Sequence, residues 1–285
     1  MNKNNFKTTI LLAALGGFLI FVGSRFGTGG AILGLALGLL FTGASYWFSD
    51  KIAVTAARAK PVSEQEAPEL YRMMGELTMR ANLPMPRLYL IPSEQPNAFA
   101  TGRNPQHAVV AVTEGIMKIL TEDELKGVLA HELMHVGNRD ILISSVAASI
   151  AMGITFMARM MMWGAMFGGV GGQDDEGGGG ILGLLAMMIL APLAAAVLQM
   201  ALSRSREFEA DHDGAHLIGS GEPLARALEK LEVAAKKIPM NVNPAQASMY
   251  IVNPLTGRKV NFAKMFSTHP PTEERIARLR STPAH

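Results

Sequence analysis

The chain has 285 residues, 49% of them hydrophobic and 18% charged, which suffices for one ordinary domain plus apolar segments that a soluble core does not need. A formal charge of +2 offers no basic stripe for nucleic acid to grip, so that partner class is set aside. The absence of cysteine excludes disulfides, thiolate metal ligands and a cysteine nucleophile, leaving His, Asp and Glu as the metal-binding residue types.

In chain order, residues 8–24 and 29–48 carry no charge, and each approaches the roughly 20 apolar residues of a bilayer crossing. They predict an N-terminal transmembrane hairpin over residues 1–50. A cleaved signal peptide is the weaker reading, because no A-x-A-like site follows the first run and a second begins almost at once. Lys3 and Lys7 precede the hairpin, Lys51, Arg58 and Lys60 follow it, and only Arg25 lies in its turn, which places both ends in the cytoplasm.

Residues 51–140 change character. Helical spacing runs over Glu64–Ala81, strands are expected at Arg87–Ile91 and His107–Val112, and a helix over Thr121–Val136. Thr121 and Glu124 form a capping box at the start of that helix. The fold class is α+β, mainly helical. A second apolar pair follows, residues 141–167 with Arg159 inside and 181–202 with Pro192 inside, and predicts a second membrane hairpin over 141–203. The length of these runs favours crossing over lying on the membrane surface. The intervening GGVGGQDDEGGGG lacks the order of a phosphate-binding loop and carries three acids, so it reads as an acidic, non-cytoplasmic loop. Residues 51–140 and 204–285 must then meet on one side of the membrane as a single catalytic domain.

The chemistry concentrates in His131-Glu132-Leu133-Met134-His135. On a helix the two histidines stand one turn apart on one face and can address a single zinc ion, with Glu132 beside them to reach a water. Such a motif arises by chance in on the order of one chain in a hundred, so a third ligand is needed. Candidates downstream are Glu207, Glu209, Asp211, His212, Asp213, His216 and His269. Glu207 and Asp211 are four apart and share a helical face, so one can ligate metal while the other holds a ligand imidazole. His212 and His216 lie largely off that face and are the weaker basis for a second metal.

HELMH, then SRSREFEAD and THPPTEERIARL, with PNAFATG upstream and apolar pairs on either side of the motif, resemble the HtpX family of bacterial membrane metallopeptidases over nearly the whole chain. The pattern is similar, more distantly, to the CAAX prenyl proteases. The resemblance implies a multi-pass membrane protein with a gluzincin-like domain and one zinc ion per chain, held by His131, His135 and Glu207, with Asp211 in support. It also implies a bacterial inner-membrane location with the catalytic domain in the cytoplasm, and substrates that are misfolded or damaged membrane proteins under stress.

Three ligands leave a fourth position for water, and Glu132 is the expected base. By the same resemblance His269, before Pro270-Pro271, is the candidate donor to the oxyanion, a helix-entry packing role being its plain alternative. Asn97, Ala98 and Phe99 are expected to present a strand edge to an extended polypeptide substrate, against the plainer reading of a hairpin connection. Prenyl-protein processing and an inactive membrane scaffold are the competing functions. The charges Glu122, Asp123, Glu124 and Lys126 before the motif, and Arg139 and Asp140 after it, put the site at the membrane surface, outside the apolar spans.

Overall fold

A computed structural model of the chain describes residues 27–144, 204–237, 251 and 270–281, with isolated positions between 9 and 24 and between 146 and 150. Its elements in order are α1 (Gly27–Trp47), α2 (Ser49–Ala56), β1 (Lys60–Pro61), α3 (Pro68–Ala81), β2 (Arg87–Ile91), β3 (Ala98–Thr101) and β4 (Val109–Thr113). There follow α4 (Glu114–Ile119), α5 (Glu122–Gly137), α6 (Arg204–Ile218), α7 (Glu222–Lys237) and α8 (Thr272–Ser281). The expected α+β, mainly helical architecture is present.

The element boundaries have local causes. The helix expected from Glu64 begins at Pro68, because Glu66 turns back to accept from the Ser63 N–H at 2.7 Å and its hydroxyl at 2.8 Å, which closes a turn first. The strand expected from His107 begins at Val109. His107 instead ends a short 3-10 turn whose amide donates to the Asn104 side chain at 3.0 Å. At α5 both halves of the capping box form: Glu124 accepts from the Thr121 N–H at 2.9 Å, and Thr121 Oγ1 accepts from the Glu124 N–H at 3.4 Å.

The sheet order is β1-β2-β4-β3, with β2 and β4 parallel and the outer pairs antiparallel. β4 is buried along its whole length because both faces are covered. Leu88, Val110 and Val112 pack with Leu70, Met74 and Leu77 of α3 and with Leu129 and Leu133 of α5. Side chains one position out of phase, Ile91, Phe99 and Ala111, pack with Ala53 of α2. β3 is thereby an edge strand lying beside α5, and α5 is clasped between α6 and α7.

Two glycines set those helix distances. A Cβ on Gly127 would stand 2.7 Å from the Leu224 backbone nitrogen, and one on Gly214 would stand 3.1 Å from the His131 nitrogen and 3.2 Å from its Cα. Side chains there would push α7 and α6 off α5.

Among the described residues no helix is long and apolar enough to cross a membrane. Most of residues 8–24 and of 141–167, all of 181–202, the acidic glycine-rich loop and His269 lie outside the described residues.

Candidate metal centre

The site forms where the last two turns of α5 meet the first half of α6. On α5 the Nε2 atoms of His131 and His135 face each other at 3.2 Å, with the rings edge to face. From α6 the Glu207 carboxylate approaches both, Oε2 lying 3.8 Å from His131 Nε2 and Oε1 lying 3.5 Å from His135 Nε2. One ligand atom from each of the three residues lies within 4.8 Å of the others, the only such group among the described residues.

The far side of each ring explains what the near side can do. His131 Nδ1 is 2.9 Å from Asp211 Oδ1, close enough for a hydrogen bond though poorly aligned with the ring N–H. His135 Nδ1 is 3.2 Å from Asp140 Oδ2. With the proton of each imidazole on the nitrogen that faces a carboxylate, both Nε2 lone pairs point at one another and at the Glu207 carboxylate. Three buried electron-pair donors converging there need a positive charge between them, supplied by a proton on His135 or by a divalent cation that all three can share. Two imidazoles and one carboxylate fit zinc and leave a fourth position open.

Arg275, which sequence reasoning passed over, holds this arrangement from α8. Its buried guanidinium donates twice to Asp211, Nε to Oδ2 at 2.8 Å and Nη2 to Oδ1 at 2.7 Å, and Nη1 donates to the Ile251 carbonyl at 3.0 Å. Burial works to raise the Asp211 carboxyl, but Arg275 and His131 outweigh it and hold it well below the usual carboxylate range. Asp140, used in the sequence only as a charge that sets the site at the membrane surface, is buried, pairs with His135 and lies 3.8 Å from Arg206. Only its position one turn past the second histidine hints at this.

His135 is also strongly perturbed by its surroundings. Burial disfavours its charged form, yet Glu207, Asp140 and Glu132 around it push the ring's pKa up to about 9, so proton and cation compete for the same nitrogen. Glu132 is buried beside the pair, and its Oε2 accepts from the backbone N–H of Ala100 on β3 at 2.8 Å. Asn97 precedes that strand. Its N–H donates to Thr113 Oγ1 at 2.9 Å and its side-chain oxygen accepts from the Ile251 N–H at 3.1 Å, so Asn97 ties β3, β4 and the segment before α8 together. Ala98 and Phe99 are buried, on opposite faces of the sheet.

Of the other downstream candidates, His212 and His216 pair with each other at 3.0 Å on the exposed side of α6, and Asp213 lies 3.3 Å from Asn138. None joins the group around His131.

The profile of peptidase family M48 matches residues 64–283. A protease HtpX homolog of Syntrophobacter fumaroxidans is 55% identical over 98% of this chain and 99% of its own length. Those of Desulforapulum autotrophicum, at 51% over 97% of this chain and 89% of its own, and of Trichormus variabilis, at 50% over 97% and 96%, are similar at nearly the same level. The crystal structure of S. mikatae Ste24p shares the fold, with a TM-score of 0.50 at 20% identity, covering 96% of this chain and 64% of that one. Matched by the family profile over residues 64–283 and by relatives along nearly its whole length, the chain belongs to peptidase family M48 and is a metalloprotease.

Proposed function

We propose that the chain is a zinc-dependent membrane endopeptidase that hydrolyses misfolded or damaged membrane proteins at the cytoplasmic face of a bacterial inner membrane. The observation that carries the chemistry is the convergence of His131 Nε2, His135 Nε2 and the Glu207 carboxylate on one point, with Glu132 alongside. Zinc held there would act as a Lewis acid toward the scissile carbonyl and acidify a water.

The chain's own groups divide the remaining work. Glu132 accepts the proton of the attacking water and returns it to the leaving amine. Asp211, fixed by Arg275, sets the tautomer and direction of the His131 ring, and Asp140 does the same for His135. His269 is proposed as a hydrogen-bond donor to the developing oxyanion. β3 takes the substrate. Among the described residues it is the outer strand of the sheet, with Asn97 bonded toward β4 and the outward Ala100 N–H held by Glu132, so an extended polypeptide would lie along that outer side next to the proposed base, with little demand on sequence.

The membrane setting is supported by the uncharged run through α1, by the exposure of Ile32, Leu33, Leu39 and Leu40 on it, and by the bias of Lys and Arg toward its flanks. The test is metal removal: cleavage of an unfolded casein substrate by the detergent-solubilised full chain is abolished by chelation and restored by zinc. Cleavage that survives complete removal of metal contradicts the proposal.

A further inference from the structure

At the end of α1 a cleft of about 500 Å³ opens between Trp47, Phe48, Lys51 and the turn that carries Arg103. Three cations line it, Lys51, Arg87 and Arg103, against one carboxylate, Asp50, which Arg87 already engages at 2.5 Å. Among the described residues neither Lys51 nor Arg103 has a carboxylate partner. Each rests on an aromatic ring instead, Arg103 at 4.8 Å from the Trp47 centroid and Lys51 at 5.4 Å from that of Phe48. Trp47 and Phe48 are themselves about half exposed. Cations held by aromatic faces in an open cleft are desolvated on one side and unneutralised on the other, which suits an incoming anion.

The apolar surface leading to the cleft says which anion. Leu33, Leu40 and Trp47 follow one another at seven-residue spacing along α1, beside the parallel pair Ile32 and Leu39, and all are exposed. From Leu33 to Trp47 the helix rises about 21 Å, more than the ~15 Å half-thickness of a bilayer's hydrocarbon core. An apolar stripe of that length ending on a tryptophan, with a guanidinium stacked on its ring, matches an amphiphile with an acyl chain at one end and a phosphate at the other.

We infer that Lys51 and Arg103, seated on Phe48 and Trp47, form a binding site for the phosphate headgroup of an anionic phospholipid whose acyl chain lies along the Leu33–Leu40–Trp47 stripe. The inference rests on the membrane reading above. Bound there, the lipid would brace the turn between β3 and β4, because Arg103 lies two residues beyond Thr101 at the end of the proposed substrate strand.

The test uses the full chain in neutral detergent, titrated with dihexanoyl phosphatidylglycerol, dihexanoyl phosphatidylcholine or inorganic phosphate while thermal unfolding is followed. The anionic lipid is expected to raise the transition and the other two are not. Arg103→Gln or Lys51→Gln each weakens the apparent affinity about fivefold, and Arg103→Lys largely retains it. An equal rise with phosphatidylcholine, or an unchanged affinity in both Gln variants, overturns the site. An equal rise with phosphate alone overturns the lipid assignment. Carbonate extraction of cell membranes, which these variants do not alter, tests the membrane reading separately. A chain that resists extraction yet shows no preference for the anionic lipid contradicts the cleft alone.

Discussion

The backbone N–H of Ala100 on the edge strand β3 donates to Oε2 of Glu132 on α5 at 2.8 Å. The contact joins the surface proposed to receive substrate to the group proposed to move the proton. Thr113 on β4 donates its N–H to the Asn97 carbonyl, so alternate residues of this strand pair inward and the Ala100 N–H is spare for Glu132. Ala100→Pro removes that donor without breaking a ladder bond, since proline is tolerated on an edge whose N–H faces outward. The expected outcome is a loss of roughly tenfold or more in kcat/KM for an extended peptide, with metal content and melting temperature nearly unchanged. A steady-state assay beside a thermal melt checks it.

Asp211 and Arg275 form a buried ion pair whose removal from one side leaves an uncompensated charge. Asp211→Asn is predicted to destabilise the fold by about 3–5 kcal/mol, and to weaken zinc binding by roughly 10- to 100-fold through the loosened His131 ring. Because the folded pKa of Asp211 is depressed, its stabilisation is fully present above the ordinary carboxylate range and is lost as pH falls through that range toward its own lower value. Acid titration of wild type and variant should therefore converge only at strongly acidic pH. Denaturant unfolding at several pH values measures this.

The raised pKa of His135 sets the pH dependence of metal capture. Its ring is protonated below about 9, so zinc must displace a proton at neutral pH. Apparent zinc affinity should rise by about a factor of ten per pH unit between 6.5 and 8.5 and level off near 9. Competition against a chelator of known affinity reads the slope directly. Asp140→Asn removes one of the carboxylates that raise the ring and should shift the plateau to lower pH.

Gly214 lets α6 approach His131 closely enough for Glu207 and Asp211 to reach the two rings. Gly214→Ala places a methyl 3.1 Å from the His131 nitrogen, which α6 can relieve only by moving outward by a few tenths of an ångström. A destabilisation of about 1–3 kcal/mol is expected, with zinc affinity falling more than stability because the three ligands move apart. Equilibrium unfolding and metal titration of the same variant separate the two effects.

Much of this was legible in the chain itself. Thr121 and Glu124 announced the start of α5, the apolar spacing gave β2 without error, and the four-residue interval between Glu207 and Asp211 put both on the face of α6 that meets the histidines. What was not legible depends on distant pairing. Arg275 lies 64 residues from Asp211, on a helix whose early charges resemble any solvated face, and nothing local distinguishes it from Arg278 or Arg280. Asp140 reads as polar by type, while its burial follows from α6 closing over the end of α5. The parallel pairing of β2 with β4, which makes β3 an edge strand, is likewise a property of the assembled sheet.

The central claim is that one zinc ion sits on His131, His135 and Glu207 with Glu132 as the base beside it. The most direct measurement determines zinc content and cleavage of unfolded casein on the same preparations of wild type, Glu132→Gln and Glu207→Ala. The account predicts about one zinc per chain in wild type and in Glu132→Gln, loss of zinc from Glu207→Ala, and cleavage by wild type alone, down at least ~100-fold in both variants. Undiminished cleavage by Glu132→Gln, or full zinc retention by Glu207→Ala, would contradict it.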